Sequence, residues 1–168
     1  MQYIGIDPGA KGAVAVLDDR LQLITAESLP LLTNGEVDVA ELYQSLWQYP
    51  LLPETTLAII EKVSAMPGQG VTSMFNFGRN VGELKAVLKI LRIPYIEITP
   101  QAWKKKVLAG LPWKAKSATD KKRAKLVAVT YVERRFPEVN LRGPRGGIKD
   151  GVADAICLAV YGKGAADG

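Results

Sequence analysis

Histidine is absent from this 168-residue chain, and cysteine occurs once, at Cys157. Without imidazole, histidine-based acid–base catalysis and most zinc sites are excluded. A single cysteine rules out a disulfide framework within the chain. Its neighbours Ala155, Ile156 and Leu158 mark it as a small buried residue rather than a reactive thiol. No apolar run approaches the ~20 residues that span a bilayer. The N-terminus enters a strand-like pattern without the basic, apolar and cleavage-site order of a signal peptide. The expectation is a soluble, non-secreted protein with no membrane partner.

What is present is ordinary globular composition, 48% apolar and 23% charged, at a length that suits one domain with a substantial core. Basic residues outnumber acidic ones 22 to 17, a net charge of +5. If four of the acids hold cations, the rest of the surface carries 22 against 13, or +9, which favours a polyanionic partner.

Those four acids stand out by their settings. Asp7 ends the β-prone run Tyr3-Ile4-Gly5-Ile6, Glu61 ends Leu57-Ala58-Ile59-Ile60, and Asp150 and Asp154 lie four apart in a helix-prone segment. Charges are rarely buried unless paired or bound to a cation, so each needs a partner. Asp150 and Asp154 project from one helix face and repel, a cost of a few tenths of a kcal/mol that a bridging cation reverses. Taken singly, each has a plainer explanation. Asp7 can pair with Lys11, Glu61 can pair with Lys62 or sit exposed, Asp150 can serve the helix dipole, and Asp154 can be solvated. Asp154 resists that explanation most, because Val152, Ala153, Ala155, Ile156 and Ala159 crowd it.

The patterning predicts strands at residues 1–7, 12–17 and 21–25 as an antiparallel meander, then a helix over 38–48 and an interior strand over 57–61. A helix follows over about 72–91, with Phe77, Val81, Leu84, Leu88 and Leu91 in a stripe. Its Gly78 and Gly82 are expected to face the sheet or a partner. A fifth strand covers 95–99, Thr99-Pro100 starts a helix, and a long helix over 118–136 buries Ala124, Val127, Ala128 and Tyr131 before Pro137. Residues 141–147 read as a mobile basic loop, and the last helix runs over 150–161. The fold class is α/β: a five-stranded mixed sheet flanked by helices, with strands 1–3 antiparallel and strands 4 and 5 parallel. The first and fourth strands are expected to be parallel neighbours, which sets Asp7 beside Glu61. Residues 1–162 form one domain and residues 163–168 a flexible tail.

Gly5-Ile6-Asp7-Pro8-Gly9, the apolar strand ending in Glu61, Phe77-Gly78-Arg79-Asn80-Val81-Gly82, Thr99-Pro100-Gln101-Ala102-Trp103-Lys104-Lys105, and Asp150-Gly151-Val152-Ala153-Asp154-Ala155 occur in an order that resembles the RuvC-type Holliday junction resolvases. These belong to the ribonuclease H-like superfamily, and the likeness runs from Ile4 to Gly162, with the spacing of Asp150 and Asp154 resembling that of some phage and chloroplast variants. It implies a ribonuclease H-like nuclease domain in which Asp7, Glu61 and Asp154 bind metal and Asp150 is a fourth ligand or an acid/base. Two Mg2+ ions, or Mn2+ in their place, would flank the scissile phosphate, one activating water and the other stabilising the leaving 3′ oxygen. The products would carry 5′-phosphate and 3′-hydroxyl ends. Lys104, Lys105, Lys121, Lys122 and Arg79 would face the DNA. Two departures mark this chain: its final acids are four apart where bacterial relatives have three, and the loop after Glu61 offers Ser64, Ala65 and Met66 where the family tends to have an aromatic wedge. Met66 is a wedge between bases or a packed loop residue.

Trp103 and Trp113 alternate with lysines, which suits stacking on bases, while the spacing of Trp103 to Val107 suits the core. The resemblance also implies a homodimer on a four-way junction, whose near two-fold symmetry calls for two equivalent sites. It implies action in the cytoplasm on a nucleoid or phage DNA, with an organellar origin left open. The competing functions are an RNA-processing ribonuclease H-like nuclease and an inactive junction-binding protein. A kinase of the actin-like fold is disfavoured, because it needs a second similar domain.

Overall fold

The computed structural model describes residues 1–9, 11–62, 70–114, 118–143 and 146–166, without the side chains of residues 118, 119, 121, 122 and 125. Five strands form one mixed sheet: β1 (Gln2–Asp7), β2 (Ala13–Asp18), β3 (Leu23–Ser28), β4 (Thr56–Glu61) and β5 (Tyr95–Ile98), in spatial order β3-β2-β1-β4-β5. β1 pairs antiparallel with β2, and β2 with β3; β4 runs parallel to both β1 and β5. This is the expected sheet, including the parallel β1–β4 pair.

Strand alternation divides the core in two. Tyr3, Ala13, Ala15, Leu17 and Ile59 meet α3 (Pro100–Val107), α4 (Ala118–Arg135) and α5 (Asp150–Ala166) on one face. Ile4, Ile6, Val14, Val16, Ala58 and Ile60 meet α1 (Val39–Trp47) and α2 (Val71–Ile90) on the other. Asp7 continues the parity of Tyr3, and Glu61 that of Ile59. Both acids therefore leave the sheet on the α5 side.

α5 is apolar nearly all round because it is buried nearly all round, from Gly151 to Ala159. It lies directly on the sheet: a Cβ at Gly5 would overlap the Ala155 carbonyl oxygen, and one at Gly151 the Lys11 carbonyl oxygen. Asp38 caps α1 by accepting from the Glu41 N–H, and Thr99 caps α3 by accepting from the Ala102 N–H, with Pro100 at the first turn.

Two expectations need correction. β3 starts at Leu23 rather than Leu21: the Asp18 carboxylate accepts from the Arg20 and Gln22 N–H groups and Leu21 adopts a φ of 58°, so the turn consumes the first two residues. α5 continues through Ala166, so the tail foreseen from residue 163 is helical there. Gly162 lets the helix press onto Ile59 and Tyr3, and the Lys106 ammonium donates to the Gly164 carbonyl. Of the two placements expected for Gly78 and Gly82 of α2, the sheet is not the one: a Cβ at either would meet no described atom within 4 Å. The core instead takes Leu84, Val87 and Leu88 from the second half of that helix. In the basic loop, Arg142 bridges Ile148, the Gly143 N–H donates to the Gly147 carbonyl at 2.7 Å, and Leu141 is buried. α4 buries Val127 and Ala128 as expected, together with Val129 and Val132, and Phe136 beyond its end is buried with them. Cys157 is buried. Among the described residues, no helix is long and apolar enough to cross a membrane.

Candidate active site

The last parallel pair of β1 and β4 is Ile6 with Ile60, so Asp7 and Glu61 emerge as neighbours at the carboxyl ends of adjacent strands. Parallel strands end together at one edge, where α/β sheets place their sites. Asp150 opens α5 and Asp154 follows one turn later. The close approach at Gly151, where a Cβ would come within 3.2 Å of Asp7 Oδ2, sets this helix start against the β1 carboxylate.

The Gly9 N–H donates to Asp7 Oδ1 at 3.0 Å, which fixes the carboxylate over the turn. Burial nonetheless pushes Asp7 up from 3.8 to about 6, with Glu61 and Asp150 adding to the rise and the Gly9 bond and Lys104 opposing it. Asp154 rises to about 7, again chiefly through burial; Lys104 opposes, while Asp7, Glu61 and Asp150 add to it. Acids that raise one another in this way share one electrostatic neighbourhood. The four predicted acids thus lie within electrostatic reach of one another at this edge of the sheet.

Among the described residues, these side chains do not already form a group of three or more that could hold a metal ion. Their chemistry nonetheless fits a hard divalent cation: oxygen donors only, two of them with raised pKa values from burial and mutual repulsion.

Two residues do more here than their spacing foretold. Trp103 is fully buried, as its helical spacing predicts, but its indole N–H also donates to Glu61 Oε1 at 2.8 Å. It orients an acid from the neighbouring helix. The signal was a tryptophan in the first turns after β5, the strand beside β4. Lys104, expected only against the DNA backbone, also acts on both Asp7 and Asp154, its ammonium 5.0 Å from the Trp103 ring centroid.

The other predicted positions lie elsewhere. Lys105 is exposed on α3 beside Lys104. Arg79 is engaged by acids of its own chain, Glu36 at 2.6 Å and Glu83 at 3.8 Å. Met66 and the side chains of Lys121 and Lys122 lie outside the described residues.

Acids whose folded pKa exceeds the unfolded value stabilise fully below about 3.8, and that contribution is lost as the pH rises through about 6 for Asp7 and about 7 for Asp154. The metal-free protein is therefore expected to melt at a higher temperature at pH 5.5 than at pH 8, with added Mg2+ raising the melting temperature more at pH 8. Calorimetry in chelator and then in Mg2+ checks this; a melting temperature that rises from pH 5.5 to 8 without metal would contradict it.

Compared by sequence, the chain matches no family model and no curated protein. Compared by structure, it is similar to T. thermophilus RuvC in complex with a Holliday junction substrate, at 15% identity and a TM-score of 0.63, covering 100% of this chain and 97% of that one. A second Thermus thermophilus RuvC structure gives 15% identity and 0.64, covering 99% and 96%. The Fowlpox virus resolvase in complex with substrate Holliday junction DNA gives 14% and 0.54, covering 97% and 99%. At such identities what is shared is the fold, and this chain carries the ribonuclease H-like fold of those structures over its whole length.

Proposed function

We propose that the protein is a divalent-metal-dependent endonuclease that resolves four-way DNA junctions, acting as a homodimer. The observation that carries this is the gathering of Asp7, Glu61, Asp150 and Asp154 at one sheet edge, in a basic chain with this fold. Two of the structural neighbours are described in complex with Holliday junction DNA, which supports the choice of substrate.

Asp7, Glu61 and Asp154 would hold the ions, Mg2+ or Mn2+, with Asp150 a fourth ligand or a proton acceptor at the rim. The bound ions would neutralise charge on the scissile phosphate and lower the pKa of the attacking water. Hydrolysis joins the water oxygen to phosphorus and breaks the bond to the 3′ oxygen, which takes a proton, leaving 5′-phosphate and 3′-hydroxyl ends. Trp103 keeps Glu61 aimed into the site, and Lys104 brings positive charge to the phosphate. A junction has near two-fold symmetry, so paired cuts call for two equivalent sites. The exposed Val71 and Phe75, with the open Gly78 and Gly82, make the α2 face from Val71 to Gly82 the candidate dimer surface.

The test is cleavage in Mg2+ of an immobile junction beside linear duplex and RNA–DNA hybrid. Cleavage confined to the junction is expected; preferential hybrid cleavage would point to the RNA-processing nuclease, and tight binding without cleavage to an inactive binder. Replacing Lys104 and Lys105 together by alanine is expected to weaken junction binding and reduce its salt slope by about two, one for each phosphate no longer neutralised. An unchanged slope in binding titrations would remove both lysines from the DNA surface.

A further inference from the structure

Beside the carboxylates, α3 and the segment after it enclose a cleft of about 540 Å³ lined by Pro100, Gln101, Lys104, Lys105, Trp113 and Lys114. That size lies within the ~300–1,000 Å³ of ligand clefts. Among the described residues its lining has three ammonium groups, one aromatic ring and no carboxylate, a composition that suits an anionic ligand with a flat ring system. Lys104 lines this cleft, and its ammonium stands 5.0 Å from the ring centroid of Trp103, whose N–H holds Glu61 at 2.8 Å, so the cleft adjoins the acids.

Trp113 differs from the wholly buried Trp103. It packs against the core yet stays half-exposed, anchored by its backbone N–H to the Leu111 carbonyl at 2.9 Å. The Lys114 ammonium stands 5.2 Å from its ring centroid. A ring fixed by the core, open to a cleft and attended by a cation is a platform on which a base can stack while the cation meets the phosphate.

We propose, resting on the nuclease reading above, that this cleft takes one unpaired nucleotide next to the scissile phosphate. Its base stacks on Trp113, its phosphates meet Lys105 and Lys114, and the Gln101 amide faces the base edge. Unstacking costs least where pairing is already interrupted, as at a junction crossover. The cleft thereby contributes base preference at the cut, which the phosphate contacts alone do not give.

The experiment is a titration of the full chain with an eight-nucleotide single-stranded oligothymidylate, in chelator, followed by tryptophan fluorescence and by anisotropy of a labelled strand. Wild type is expected to show quenching that Trp113→Phe largely removes while keeping most of the affinity. Trp113→Ala is expected to bind about 10-fold more weakly. Trp47 and Trp103 supply a common background, and the phenylalanine variant serves if the alanine variant fails to fold. Equal quenching in wild type and Trp113→Phe, no quenching in wild type, or unchanged affinity in a folded Trp113→Ala would overturn the cleft. Junction cleavage separates this from the nuclease reading: a Trp113→Ala enzyme that cuts with wild-type site preference sinks the cleft alone, whereas wild type that fails to cut any junction sinks the nuclease.

Discussion

Asp154→Asn is expected to stabilise the metal-free protein at pH 8 and to abolish cleavage in the same molecule. Burial lifts the Asp154 carboxyl from 3.8 to about 7, with Asp7, Glu61 and Asp150 adding to the rise. At pH 8 the group is nevertheless ionised, so the fold carries the cost of a buried charge among like charges. Every tenfold change in proton affinity corresponds to about 1.4 kcal/mol. The amide keeps the shape and sheds the charge, although its own hydrogen bonds take back part of the gain. A rise of ~3 °C or more in the melting temperature follows, since 1 kcal/mol is worth ~2–4 °C at this size. Activity moves the other way, because losing several kcal/mol of transition-state stabilisation slows cleavage by ~1,000-fold or more. Calorimetry in chelator and single-turnover cleavage in Mg2+ check the two halves. A variant that melts lower, or that cleaves like wild type, contradicts this account of the site.

Gly5→Ala is expected to cost ~3 kcal/mol or more, a fall of roughly 10 °C in melting temperature. The added methyl would meet the Ala155 carbonyl oxygen and the Ala159 nitrogen, both backbone atoms of a buried helix that has no rotamer to change. α5 must then lift from β1, taking Asp150 and Asp154 away from Asp7. Gly82→Ala provides the contrast, for it meets nothing within 4 Å in the interior of α2. There the lost backbone freedom of the unfolded chain leaves alanine neutral or up to ~1 kcal/mol better. The melting temperature should fall for Gly5→Ala and hold or rise for Gly82→Ala; a Gly5→Ala protein as stable as wild type would show that α5 is not pressed onto the sheet.

The sheet and the gathering of its acids were legible because they rest on short-range rules. Apolar strands that end in Asp7 and Glu61, and a helix whose first three turns are apolar except at Asp150 and Asp154, carry their burial in the residue pattern itself. What escaped depends on how distant elements meet. The Trp103 bond to Glu61 exists because α3 returns beside β4 after β5, and a tryptophan at core spacing gives no notice of where its N–H points. The reach of Lys104 to Asp7 and Asp154 has the same origin. The late start of β3 turns on Leu21 entering a left-handed conformation that leucine rarely adopts. The length of α5 turns on Gly162, a residue that weakens an isolated helix and here permits close packing onto Ile59.

Whether the carboxylates at the ends of β1 and β4 and on α5 cut branched DNA is tested most directly by mapping nicks on a labelled immobile four-way junction in Mg2+. Wild type and Asp7→Asn are compared side by side at protein concentrations that saturate binding. Paired, symmetry-related nicks with 5′-phosphate ends are predicted for wild type, and bound but uncut junction for the variant. Nicks of equal yield from Asp7→Asn would contradict the carboxylate site.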